Sequence, residues 1–201
     1  MASDLAPMRH TLAHLLAAVV LDIYPDAKPT LGPAIDTGFY YDFEFSKPLQ
    51  EDDLKNLEEK MRDLLPSWKE FTHEEVSKED ALKKFAGNIY KEELINEIVE
   101  REETITLYTC GGFTDLCRGG HVDHPAKDID VNSFSLSHLA GAYWRGDEKN
   151  KMLTRVYGLA FTSKKELDAY KTQQEEAKKR DHRKIGKELD LFTFSDYVGS
   201  G

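Results

Sequence analysis

An apolar run near the start of the chain does most to restrict what this sequence can fold into. Residues 5–24 read as a helix, with Asp4 as its cap, Pro7 in the first turn and Pro25 beyond the end. At about 100° per residue, Leu12, Leu15, Leu16, Val19, Val20 and Ile23 gather on one side as a wide stripe for packing against a core. His10 and His14 fall on the opposite side, one turn apart, so both rings can reach a common point. Their neighbours there, Ala13, Ala17 and Leu21, are mostly short and leave room for a ligand. A His–x₃–His pair alone is a weak signal, more often surface or a packed residue than a ligand.

A second constellation strengthens it. Asp115-Leu-Cys117-Arg-Gly119-Gly120-His121 gathers a carboxylate, a thiol and an imidazole around a Gly-Gly turn, where backbone can approach a bound molecule closely. Together, His10, His14, Cys117 and His121 form a set able to bind zinc or to handle a hydrolytic water. His124 is a decoy ligand at most, and His73, His138 and His182 read as structural or exposed. Cys110 and Cys117 lie seven apart; Cys110 reads as a bystander, and a disulfide is not expected in a reducing compartment.

The net charge of −10 is the wrong sign for gripping nucleic acid by bulk electrostatics. It leaves room for a domain that receives only the end of a nucleic acid held elsewhere. The exception is a basic segment, Lys178 to Lys187, which reads equally as a solvated helix or as a contact to such a partner. No apolar run reaches membrane-spanning length and the first residues lack a signal-peptide pattern, so a cytoplasmic location is expected.

Along the rest of the chain, Gly38–Phe45 is expected as an aromatic strand on which Tyr40 and Tyr41 face opposite sides, so that only one meets a pocket. Phe39, Tyr41 and Phe43 read as core. Helices are expected over 50–65, from a Ser77/Asp80 capping box, and over Tyr90–Glu100. These helices group into a small helical subdomain, an insertion at about 50–100. Strands follow at Thr104–Thr109, Ser133–Arg145 and Met152–Phe161, the last two joined by a turn over 146–150. Ser163 and Glu166 cap a long helix continuing to about Leu189. The order favours an α+β fold, an antiparallel sheet packed with helices, divided as 1–162 and 163–201.

Five separated blocks also carry a resemblance. His10-x₃-His14, Gly38-Phe-Tyr-Tyr-Asp42, Asp115-x-Cys117-Arg-Gly-Gly-His121, Gly141-Ala-Tyr-Trp-Arg-Gly-Asp147 and Lys179-Arg-Asp-His-Arg-Lys-Ile-Gly-Lys187 resemble, in order and spacing, the editing domain of bacterial-type threonyl-tRNA synthetase. The similarity runs from about residue 8 to about 192. It departs at Gly120, where the family commonly has proline; a more flexible turn there is expected to loosen His121.

The resemblance implies an aminoacyl-tRNA ester hydrolase that removes serine from mischarged tRNA(Thr), without ligase activity in this segment. It implies a long helix leading towards an aminoacylation core, and partner synthetic and anticodon-binding domains outside this sequence. On that reading His10, His14 and His121 hold the water and the terminal ribose. Asp115 binds the serine ammonium or hydroxyl, and Cys117 lines the pocket with Gly119 and Gly120. Lys91, which matches a functional lysine of the family in a Tyr-Lys context, positions water, and Tyr40 lines the entrance for the terminal adenosine. No cofactor is expected to be required, although zinc on His10, His14, Cys117 and His121 is an open alternative. Four protein ligands would close the site to catalytic water. Two other readings stay open: a zinc-stabilised tRNA-binding module without activity, and an alanyl-type editing domain.

Overall fold

The structure, a computed structural model, describes residues 5–180. Asp4, His182 and the stretch up to Leu189 expected as helix therefore lie outside the described residues, with most of the basic segment.

Helix α1 (Ala6–Ile23) runs through the middle of the main core. Leu12, Ala13, Leu15, Leu16, Ala17 and Val20 are fully buried, and His14 is only 2% exposed. The single apolar stripe expected from the sequence understates this burial. The helix packs against β2 (Ala34–Ile35) and β3 (Gly38–Glu44) of a sheet and against α2 (Asp53–Leu64), and this leaves no wet side over most of its length. The histidine side is covered as well, by Phe71 and Phe113, whose rings meet His14 edge-on at 6.0 Å. Each fully buried leucine or valine here contributes about 1.5–3 kcal/mol.

The larger sheet is antiparallel, in the order β1 (Lys28–Pro29), β3, β8 (Met152–Ala160), β7 (Phe134–Tyr143), with β2 also pairing β3. A bulge between Leu136 and His138 shifts the β7–β8 register. The smaller sheet is β4 (Thr72–Val76), β5 (Ile105–Cys110), β6 (Phe113–Leu116). Helices α3 (Lys78–Lys84) and α4 (Ile89–Glu100) pack beside it around Ala81, Ile95 and Ile105. The short α5 (Pro125–Asp128) precedes β7, and α6 (Lys164–Lys179) follows β8.

The α+β class is as expected. Three local features are not. The 50–100 segment is not uniformly helical, because Thr72–Val76 pairs with β5 as an edge strand. Alternation is hidden there by the exposed run His73-Glu74-Glu75. α2 belongs to the main core through Leu54, Leu57 and Met61, so the helical part narrows to α3 and α4. Asp115 lies on a strand rather than in a turn, paired opposite Tyr108. The capping boxes form as read: Ser77 Oγ accepts from Asp80 N at 3.1 Å, and Ser163 Oγ accepts from Glu166 N at 3.3 Å.

Candidate active site

α1, β3, α4 and β6 converge on one pocket of about 640 Å³. That volume lies within the ordinary range for small-molecule pockets. His10, His14, Tyr40, Lys91, Asp115, Cys117 and Gly119 all line it. His121 and Gly120 do not.

One half of the pocket is an ion pair. Lys91 reaches in from α4, only 1% exposed, and its Nζ lies 2.5 Å from Asp115 Oδ1. Tyr41 donates its hydroxyl to Asp115 Oδ2 at 2.6 Å and accepts from Lys91 Nζ at 3.3 Å. Burial alone would raise the Asp115 pKa. The Lys91 ammonium and the bonds from Lys91 and Tyr41 outweigh it, and the carboxyl is held below its usual range. A buried pair of this kind tolerates loss of neither partner. Asp115 also accepts from the Leu116 N–H at 2.8 Å, which leaves one acceptor position on Oδ2, on the side of His14.

Sequence reasoning missed Tyr41, assigning it to the core. Its ring is buried, but its hydroxyl is part of the site. Nor does the pocket take only one of the two tyrosines; both line it. The reason is the edge of β3. Between β1 and β2 the irregular segment 30–33 covers residues 40–42 through Thr30 N to Asp42 O, Asp42 N to Leu31 O and Tyr40 N to Pro33 O, and this segment lines the pocket as well. The packing of such an edge leaves no trace in alternation.

The other half is neutral. His10 Nδ1 lies 3.3 Å from the Gly32 carbonyl, which can only accept, so Nδ1 carries the proton and Nε2 faces Cys117 Sγ at 3.1 Å as an acceptor. Burial pushes the Cys117 thiol up to about 11, so it is a protonated donor at neutral pH and a poor nucleophile. The Gly119 N–H approaches the same sulfur at 3.3 Å, and His121 Nε2 at 3.6 Å. Burial lowers His10, lowers His14 to about 3 and lowers His121 to about 2. All three imidazoles are therefore neutral at physiological pH. Among the described side chains, His14 Nδ1 is a buried atom without a hydrogen-bond partner, 4.0 Å from Asp115 Oδ2.

His121 stands behind the pocket wall. Its ring is sandwiched between Phe71 at 3.8 Å and His10 at 4.6 Å, nearly parallel to both. Both rings hold it by stacking. The turn itself needs glycine: Gly119 and Gly120 both have φ of +88°, and a Cβ on Gly119 would lie 2.5 Å from the Tyr108 hydroxyl. Proline, fixed near −65°, does not fit the backbone at 120. Gly120 has open space beside it and no contact to the pocket.

At the mouth, Tyr40 lies under the Arg155 guanidinium at 3.8 Å, and Arg155 grips Asp42 with two bonds of 2.7 and 2.8 Å. Arg155 and Asp42 were not singled out from the sequence; their register across β3 and β8 is the signal that would have paired them. His73 and His138 stack on Tyr108 and Tyr157 and take no part in the pocket, and both cysteines are free.

The ring nitrogens of His10, His14 and His121 and the sulfur of Cys117 all lie within 4.8 Å of one another. Tetrahedral zinc separates its ligand atoms by roughly 3.3–3.8 Å, so small side-chain movements would suit it. The donor types fit, and the unpartnered His14 nitrogen gives such an ion a ligand.

Among the described residues no helix is long and apolar enough to cross a membrane. Residues 105–157 match the family described as the threonyl and alanyl tRNA synthetase second additional domain. Over 199 residues, 99% of this chain, it is 51% identical to a threonine–tRNA ligase of Dehalococcoides mccartyi and 49% identical to one of Borrelia hermsii. A third, from Pelobacter propionicus, is 47% identical over 98% of this chain. The aligned region is 33%, 34% and 30% of those proteins, so the chain spans about a third of the length of the curated relatives it matches.

Proposed function

We propose, for a chain that belongs to the threonyl-tRNA synthetase family and carries its second additional domain, that the pocket hydrolyses the ester of serine mischarged onto tRNA(Thr). The observation that carries the reading is the meeting of a buried Lys91–Asp115–Tyr41 cluster with a neutral His14, whose Nδ1 has no hydrogen-bond partner, in one pocket.

The chemistry follows from the charges. The remaining acceptor position on Asp115 Oδ2 takes the serine ammonium. His14 Nδ1 accepts a proton as the water oxygen attacks the ester carbon. The Lys91 ammonium, fixed by Asp115, faces the negative charge that develops on the carbonyl oxygen. The bond to the ribose oxygen then breaks, and that oxygen takes the proton from His14. His10 and Cys117 form the wall beside the ribose, and His121 backs His10. Serine and threonine differ by one methyl, worth about 1–3 kcal/mol in a binding pocket, so a second site that excludes the larger residue corrects an error that binding alone leaves. Tyr40 and Arg155 at the mouth face the terminal nucleotide. The rest of the tRNA, by its charge, is held by other domains of the longer enzymes, in the cytoplasm where charged tRNA is used.

Deacylation of seryl-tRNA(Thr) by the chain, by His14→Ala and by Cys117→Ala tests this. Serine release falls by roughly 10²–10³ in His14→Ala and less in Cys117→Ala. Equal rates for all three would remove these residues from catalysis.

A second reading rests on the donor set. His10, His14, Cys117 and His121 would hold zinc, which would supply fold stability and a Lewis acid. Stoichiometric zinc with unfolding on chelation would favour a binding module; in the hydrolytic reading, chelation leaves serine release intact. The alanyl alternative predicts preference for mischarged tRNA(Ala), and the similarity to threonine–tRNA ligases speaks against it.

A further inference from the structure

Lys91 reaches Asp115 from α4, which packs against β5 of the smaller sheet and β1 of the larger. The helix presents two stripes. Lys91 and Ile95 turn inward, both almost fully buried. Tyr90, Glu93, Leu94 and Glu97 recur at i, i+3, i+4 and i+7 and face the end of the β7–β8 hairpin.

That second stripe meets a built counterpart. Tyr90, Trp144 and Leu153, with Leu94 against them, form a separate apolar cluster between helix and hairpin. Trp144 donates its indole N–H to Glu93 Oε2 at 2.9 Å and is 7% exposed. Arg145 reaches Glu93 Oε1 at 3.1 Å, also bonds Glu97, and lays its guanidinium over the Trp144 ring at 4.9 Å. It does so at φ of +61°, left-handed backbone that residues other than glycine rarely adopt. The Arg145 pairs are part-exposed and screened, so the indole bond is the link that matters. A buried ammonium gains by returning to water, so the helix that carries it needs such a tether.

We propose that Glu93, bonded to Trp144, is a positioning residue that holds α4 at the depth where the Lys91 ammonium meets Asp115. The proposal rests on the hydrolytic reading for its catalytic consequence alone.

The full chain is treated with a water-soluble acetylating ester, and acetylation of each lysine is followed by mass spectrometry. Lys91 is protected in the parent. In Glu93→Ala and in Trp144→Phe, which keeps the aromatic packing, its rate rises roughly tenfold, the scale of one lost bond to a charged group. Glu93→Gln, which keeps an acceptor for the indole, gives a smaller rise. Asp168→Asn, on an exposed α6 ion pair, gives none. Serine release falls in kcat with KM unchanged in the first two variants. Unchanged protection of Lys91 in both folded variants would overturn the proposal, as would a rise shared by all lysines. Selective deprotection of Lys91 in a protein whose parent leaves seryl-tRNA intact supports the tether and refutes the hydrolytic function.

Discussion

The two halves of the pocket solve the problem of burial differently. Around Asp115 the chain buries charge and pairs it, with Lys91 and Tyr41 supplying the bonds that water would have made. Around His10, His14, His121 and Cys117 it keeps every group neutral and stacks or bonds the rings. In the proposed reaction the first half binds and polarises, and the second accepts a proton. Because one is charged and the other is not, the first is most sensitive to loss of a partner and the second to gain of a proton.

Breaking the charged half has the largest effect. Asp115→Ala leaves the Lys91 ammonium buried alone and lowers the unfolding free energy by about 3–5 kcal/mol, read from urea denaturation. The double variant Asp115→Leu, Lys91→Met recovers most of that loss. If the single and double variants are equally unstable, the pair does not dominate this half.

The neutral half is broken by acid. The folded His14 pKa of about 3 lies below the unfolded value near 6.5, so the unfolded chain binds the extra proton. Stability is full above pH 6.5 and falls as pH drops towards 3, with about 2 kcal/mol lost at pH 5 from His14 alone. Urea midpoints at pH 7 and pH 5 check this, and His14→Gln flattens part of the slope.

Smaller effects sharpen the comparison. Phe71→Ala removes one face of the His121 sandwich and costs about 1–2 kcal/mol, with serine release reduced less than in His14→Ala. Arg155→Lys exchanges a bidentate grip on Asp42 and a stack on Tyr40 for a point charge, and costs about 1 kcal/mol. KM for the tRNA ester rises there with kcat little changed.

The same contrast separates what was legible in the sequence from what was not. The imidazole–thiol half rests on local spacing: His10 and His14 one helical turn apart, Cys117 and His121 across one turn. Spacing of that kind can be read directly. The charged half joins β3, α4 and β6, elements with no short-range relation, and only the resemblance pointed to Lys91. Tyr41 escaped because a buried aromatic on a strand looks the same whether or not its hydroxyl is used. β4 escaped because an exposed edge strand has no apolar face to betray it, and α2 was misassigned because periodicity shows that a face is buried without saying against what. The Ser77 and Ser163 caps, each made within four residues, form as the sequence indicates, whereas α1 starts from Leu5 with no side-chain cap bond.

The most direct test of the account is the rate of amino acid release from seryl-tRNA(Thr) and threonyl-tRNA(Thr) by the same protein preparation, with Lys91→Met beside it. The account predicts fast serine release, little threonine release, and loss of the serine reaction in Lys91→Met. Equal release of both amino acids, or a serine rate indifferent to Lys91, would contradict it.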